Sequence, residues 1–194
     1  MKVGYARTLS PADRRAAAEL YWLAFGSKLA RVVGPTPKAL AFIERVLDPA
    51  HVLVARDADG AVLGVAGFRT ADGAFVGGEL ADLCAVYGRA GGLWRAACLR
   101  LLARDAAEEG IVVDGLSVRA GMRGQGIGTA LLEALCVEAQ ARGYRAIRLD
   151  VVEENLRARA LYERLGFTVR ARRGGRFTRW LFDFGGFWVM VRRL

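Results

Sequence analysis

One segment constrains this chain more than any other. It reads Leu116-Ser117-Val118-Arg119-Ala120-Gly121-Met122-Arg123-Gly124-Gln125-Gly126-Ile127-Gly128-Thr129, an apolar strand that passes through a glycine-rich turn straight into an amphipathic helix. Glycines let the backbone turn tightly and approach a ligand with no Cβ in the way. The amides that open the helix have no partners inside it and sit at the positive end of its dipole. Such a turn suits a phosphate or pyrophosphate, and Arg123 adds a charged donor capable of bidentate contact with the same anion. The segment predicts binding of a phosphorylated small molecule. Taken alone, it also fits an ordinary glycine turn that caps a helix.

Two familiar nucleotide patterns do not fit. The dinucleotide fingerprint places its glycines at uneven intervals and an acidic residue about 20 positions later, whereas Gly124, Gly126 and Gly128 are evenly spaced. The phosphate loop of nucleotide hydrolases ends in Gly-Lys-Ser/Thr, and no lysine follows Lys38.

A second segment removes most of the ambiguity. From Asn155 to Phe167 the chain reads Asn-Leu-Arg-Ala-Arg-Ala-Leu-Tyr-Glu-Arg-Leu-Gly-Phe. Asn155 can cap a helix, Ala158, Leu161, Tyr162 and Leu165 recur at helical spacing, and Gly166 can end it in the left-handed conformation. Together the two segments resemble the GNAT superfamily of N-acetyltransferases. Its acetyl-CoA motif, Arg/Gln-x-x-Gly-x-Gly/Ala, is matched by Arg123, Gly126 and Gly128. Its next element, an Asn leading to Ala and then Tyr-x-x-x-Gly-Phe, is matched by Asn155, Ala158, Tyr162, Gly166 and Phe167. The resemblance is sharp over residues 112 to 168 and topological elsewhere.

The resemblance implies an α/β (α+β) fold: a mixed central sheet of about seven strands, flanked by four or five helices, with strands four and five splayed. It also implies acetyl-CoA as co-substrate, with no metal. Backbone groups of strand four around Leu116, Ser117 and Val118 would pair with pantetheine, and an amide near Val118 would polarise the thioester carbonyl as an oxyanion hole does. Arg123, Gly124, Gln125, Gly126, Ile127 and Gly128 would hold the pyrophosphate, with a hydroxyl from Thr129. Tyr162 would give the departing sulfur its proton, since a phenol with a pKa near 10 is protonated at neutral pH; packing on pantetheine is the plainer role. The base is less determined. Asp114 lies two residues before Leu116, and strand alternation puts both on one face. Asp150, Glu153 and Glu79 are alternatives, each equally suited to a salt bridge. Asn155 can hold a CoA amide or hydroxyl, or simply cap its helix.

Composition narrows the class. With 194 residues the chain is read as a single domain, 1-194, with a variable insertion at 71-110 that carries an extra helix. It has no uninterrupted apolar run long enough for a membrane span and no apolar stretch in Met1 to Ser10 for a signal peptide. Cys84, Cys98 and Cys136 suit reduced thiols in the cytoplasm. His51 is the only histidine and lies in no nucleophile motif. The net charge of +9 rests on arginine, since Lys2, Lys28 and Lys38 are the only lysines. Arg170, Arg172, Arg173, Arg176 and Arg179 form a local cluster that reads as a solvated hairpin, as a basic loop near the co-substrate's phosphates or as a surface for an acidic partner.

The remaining pattern places elements in the family's order. Residues 2 to 8 form a strand, and Ser10 and Pro11 open a helix with an apolar stripe of Ala16, Leu20, Leu23 and Ala24. A second helix runs from Lys38 to Leu47, and a hairpin over residues 51 to 69 turns at Asp59-Gly60. Within the insertion, Leu93 to Ala107 is helical; packing on the sheet is its plainest role, and a lid on the acceptor pocket or support of a dimer are the alternatives. Strand four follows at Ile111 to Val118, helix three at Ile127 to Arg142, strand five at Ala146 to Val152, helix four at 155 to 165, and two last strands at Phe167 to Arg172 and Phe187 to Arg193. Tyr21, Trp22, Phe25, Trp94, Phe182 and Trp188 are divided between core and an acceptor pocket.

The expected function is N-acetyl transfer from acetyl-CoA to a primary amine of a small molecule or a protein, by direct attack. A non-catalytic acyl-CoA-binding or regulatory module is the alternative. Nucleic acid is not expected as a partner, because positive charge is its only support. A homodimer through the C-terminal strands stays open.

Overall fold

The computed structural model describes residues 3–6, 9–103, 110–174 and 185–194. Lys2, the end of the expected first strand, Arg104 to Ala107, Arg176, Arg179 and Phe182 lie outside the described residues.

Short strand β1 (Gly4–Ala6) leads to a single tight turn at Pro11–Asp13, capped by Ser10, and then to helix α1 (Arg14–Val33). Proline at the first position of that turn gives up no hydrogen bond. Ala17, Ala18, Leu20 and Tyr21 form the buried face of α1, while Leu23 is 57% exposed, so the apolar stripe is rotated from the expected one. Helix α2 (Thr36–Val46) buries Ala39, Leu40, Phe42 and Ile43. Strands β2 (Val52–Arg56) and β3 (Val62–Thr70) form the expected hairpin, with Gly60 in the left-handed region at φ 87°. A two-residue strand, β4 (Gly73–Ala74), pairs with the end of β3.

Helix α3 (Leu80–Ala103) begins thirteen residues before the expected start, on the far side of Gly88, Gly91 and Gly92. Gly88, at φ 75° and ψ 167°, is not helical, so the expected glycine break is present there and α3 is two helical segments joined at a sharp kink. A Cβ on Gly92 would lie 2.7 Å from the backbone nitrogen of Cys84, so the two segments pack closely beside the kink. The helix rests mainly on α2 and α1 rather than on the sheet. Its Tyr87 hydroxyl donates to the carbonyl of Val33, and Arg95 stacks over the Tyr87 ring at 4.0 Å.

The second half follows the sequence closely: β5 (Ile111–Val118), α4 (Ile127–Ala141), β6 (Ala146–Val152), α5 (Leu156–Arg164), β7 (Thr168–Arg173) and β8 (Phe187–Arg193). The sheet order is β1-β2-β3-β5-β6-β8-β7, and all neighbours are antiparallel except β5 and β6. Two apolar cores flank the sheet. One holds α1 and α2 with Val54, Val65 and Phe75; the other holds α4 with Ala66, Phe68, Ile147 and Phe167. Among the described residues no helix is long and apolar enough to cross a membrane, and Cys84, Cys98 and Cys136 are free thiols.

Candidate active site

The sheet opens where its two parallel strands meet. β5 and β6 pair only at Ile111, Val112 and Val113, opposite Ile147, Arg148 and Leu149. Beyond Val113 the strands part, and the β6-facing edge of β5 has no strand partner among the described residues as far as Val118. On its other edge β5 stays paired with β3 through Gly64. The amide of Arg119 donates to Leu63 on that side at 2.8 Å. Backbone groups alternate along a strand, so Val118 and Leu116 turn their amides and carbonyls towards the gap.

The glycine turn lies at the end of this edge. Gly124 and Gly126 both adopt left-handed backbones, at φ 84° and 78°, and Gly126 is the residue that opens α4. Among the described residues no atom lies within 4 Å of a Cβ built on either, which leaves space above the turn. Arg123 uses Nε to donate to the carbonyl of Val118 at 3.2 Å, which closes the turn against the strand end. Ile127 buries its side chain in the α4 core, so it offers only its amide to the turn. Ser117 likewise offers only backbone there: its buried hydroxyl donates to the carbonyl of Leu20 at 2.8 Å and ties β5 to α1. Gln125 is exposed, and Gly128 and Thr129 are half-buried in the first turn of α4.

A cleft of about 910 Å³ passes through the gap between β5 and β6. Tyr21 and Phe25 of α1, Leu99 of α3, Asp114 of β5 and Tyr162 of α5 all line it. Thus α3 walls the cleft. Of the other aromatics, Trp22 borders a separate groove on α1, Trp94 is exposed, and Trp188 packs on the α4 side.

Asp114 does not share a face with Leu116. β3 pairs Gly67 with Gly115 and then Phe68 with Val113, so Asp114 is an extra residue, a bulge, in β5. The bulge shifts the alternation by one. Leu116 packs into the α4 core, whereas Asp114 accepts a hydrogen bond from the Val76 amide at 3.2 Å on the α1 side. Gly115 turns to that side too, where a Cβ would come within 3.1 Å of Tyr21 and Phe25. Burial pushes the Asp114 carboxyl above the usual carboxylate range, and the nearby charge of Arg69 opposes the shift.

Tyr162 enters from the opposite wall. Its ring packs against Phe167, centroids 6.0 Å apart, and burial pushes its phenol up to about 12. Asn155 is the helix cap: its Oδ1 accepts from the Ala158 amide at 3.1 Å, and the residue also borders the cleft. Two of the alternative bases are already paired. Asp150 accepts two bonds from Arg148, both at 3.1 Å, and Glu153 accepts two from Arg172, at 2.5 and 2.9 Å. Glu79 is exposed at the cleft border. Of the arginine cluster, Arg170 is exposed on β7 and Arg172 is committed to Glu153.

Arg69 and Arg100 also reach the cleft, and sequence reasoning had not marked them. Nothing local distinguishes an arginine near the end of a strand, or one late in a helix, from a solvated charge. His51 is buried between Asp48, at 2.6 Å, and Thr70, at 3.2 Å, where it fastens the start of β2 to the end of β3. Among the described residues no group of three or more His, Cys, Asp or Glu side chains is placed to hold a metal ion.

A strand with an open edge, a glycine turn at its end and a helix-borne tyrosine across the gap meet around one cleft of this mixed α/β fold. The chain belongs to the Acetyltransferase (GNAT) family, whose profile it matches over residues 14–167. It is 47% identical over 64 residues to the mycothiol acetyltransferase of Beutenbergia cavernae, a stretch that covers 33% of this chain and 21% of that relative. The fold is shared with an N-acetyltransferase of Staphylococcus aureus Mu50, at TM-score 0.67 and 16% identity over 97% of this chain and 99% of that one. It is likewise shared with a GCN5-related N-acetyltransferase of Kribbella flavida, at TM-score 0.60 and 23% identity over 99% and 98%.

Proposed function

We propose that this protein transfers an acetyl group from acetyl-CoA to a primary amine by direct attack, within the cleft between β5 and β6. The observation that carries this reading is the parting of those strands beyond Val113, which leaves the backbone groups of Leu116 and Val118, beside a phosphate-suited turn, without a strand partner among the described residues. The cleft supports the assignment of an acetyl-CoA site, because a pantetheine arm needs an extended set of donors and acceptors and this edge provides one. Gly124, Gln125, Gly126 and Ile127 supply amides for the pyrophosphate, Arg123 a charged donor, and Gly128 and Thr129 the first helical turn.

The thioester supplies the acetyl carbon and its leaving sulfur. The Val118 amide donates to the carbonyl oxygen as charge develops on it. Asp114 takes a proton from the acceptor nitrogen as the C–N bond forms. Tyr162 donates its hydroxyl proton as the C–S bond breaks, so the products are the amide and free CoA thiol, and the tyrosine is reprotonated from solvent. Ser117 holds the strand against α1, and Asn155 caps the helix that presents Tyr162. The test is release of free thiol from acetyl-CoA in the presence of a panel of primary amines. Thiol release that depends on the amine, with the N-acetyl product seen by mass, is the expected result. Tight acetyl-CoA binding with no thiol release for any amine would favour a non-catalytic acyl-CoA-binding module instead.

A further inference from the structure

The charges within the cleft are arranged in a pattern that a plain alkylamine does not need. Its walls on α1 and α3 are largely apolar, with Phe25 and Leu99 among them. Asp114 faces this space from the bulge, and Arg69 reaches it from β3, where it pairs with Val112 two rungs beyond the bulge. Arg69 is close enough that its charge acts on both Asp114 and Tyr21. Arg100 adds a second guanidinium from α3.

Neither of these arginines has an ion pair or a side-chain hydrogen bond among the described residues. That sets them apart from Arg14, Arg45, Arg56, Arg142, Arg148, Arg159 and Arg172, each of which donates to a carbonyl or carboxylate. Another carboxylate that lines the cleft, Asp150, is occupied by Arg148. Arg69 is half-buried, and beyond the charge of nearby Asp114 its guanidinium has no hydrogen-bonded or ion-pair partner among the described residues. A group in that condition gains most from a planar oxyanion that accepts two of its hydrogens.

We propose that Arg69, assisted by Arg100, binds a carboxylate of the acceptor, so that the acceptor is an amine that also carries a carboxylate, with an apolar body against α1 and α3. This rests on the acetyl-transfer reading above. An amino acid with an apolar side chain has this chemistry. Its amine goes to Asp114, its carboxylate to Arg69 and its side chain to the apolar wall. Arg69 is then a specificity-determining residue.

Matched acceptors test this: phenylalanine against phenethylamine, and leucine against isoamylamine, in each case by kcat/KM for thiol release. The wild-type protein is expected to favour the carboxylated member of a pair at least tenfold. Arg69→Gln should lower that preference at least tenfold, chiefly through KM, and Arg69→Lys should restore part of it and so control for folding. Equal or better use of the decarboxylated amines by the wild type overturns the inference while leaving acetyl transfer standing. So does a preference that Arg69→Gln leaves in place. Failure of every amine, with acetyl-CoA bound, overturns both.

Discussion

Asp114 accepts a hydrogen bond from the backbone amide of Val76 at 3.2 Å, which joins the bulge of β5 to the segment that leads into α3. One carboxylate oxygen is thereby anchored within the cleft. Asp114→Asn keeps an acceptor for that amide and removes the base. Turnover at neutral pH should fall tenfold or more, and the deficit should shrink as pH rises and the acceptor amine loses its proton unaided. The carboxyl is held above the ordinary range by burial. Stability linked to its protonated form is therefore full below the ordinary carboxylate pKa and lost as pH rises through the raised value. The Asn variant should melt no lower than wild type at pH 8. Undiminished turnover in the variant would exclude Asp114 as the base.

Tyr162 keeps its proton throughout the working range, because burial lifts its phenol to about 12. Loss of activity at alkaline pH should therefore not begin below pH 10 on its account. Tyr162→Phe retains the ring contact with Phe167 and loses only the hydroxyl. Turnover should drop at least tenfold with acetyl-CoA affinity little altered, as steady-state kinetics and calorimetry would show. A Phe variant as fast as the parent would reduce Tyr162 to packing.

Gly126 separates backbone from charge effects in the turn. Its φ of 78° costs an alanine about 1–2 kcal/mol, while the open space around its Cβ adds no clash. Gly126→Ala should weaken acetyl-CoA binding moderately and lower the melting temperature by a few degrees. Gly126→Asp adds a negative charge where the pyrophosphate is expected, and calorimetry should register no binding. Equal affinity for both variants and the parent would move the phosphate site elsewhere.

Asp13 and Arg56 form a pair at 2.7 Å, with side chains 17% and 20% exposed, that joins the start of α1 to the β2–β3 hairpin. The bond from Arg56 lowers the Asp13 carboxyl to about 2. A depressed carboxyl stabilises the fold above its unfolded pKa, and that contribution is lost as pH falls from about 4 towards 2. After allowance for solvent screening it is about 1–2 kcal/mol. Asp13→Asn should lower the melting temperature at pH 7 by a few degrees and flatten its decline below pH 4. A parallel decline in both proteins would assign the acid sensitivity to other carboxylates.

Most of the second half of the fold was legible because local chemistry and tertiary structure agree there. Gly126 must be left-handed, Asn155 caps a helix, and the apolar runs of β5 and β6 have the length of buried strands. The region from 71 to 110 was harder. Gly88, Gly91 and Gly92 read as breaks, and Gly88 is one, but Gly91 and Gly92 lie inside the second helical segment, where Gly92 serves close packing against Cys84 that only the folded structure reveals. Alternation failed at Asp114 for a similar reason: a bulge is a property of two paired strands, and β5 alone carries no mark of it beyond Gly115. Arg69 was missed because a charge without a bonded partner can be recognised only once its surroundings are known.

The bulge has a wider consequence. A regular strand position serves two masters, since its side chain must suit one face while its backbone keeps the ladder in step. The ladder to β3 skips Asp114, so the side chain there can change its chemistry without moving any rung. Deletion at this point would close the bulge and leave Gly115, Leu116, Ser117 and Val118 on the faces they already occupy, removing only the carboxylate. Position 114 is thus a place where the reactive group can be revised while the architecture stays as it is.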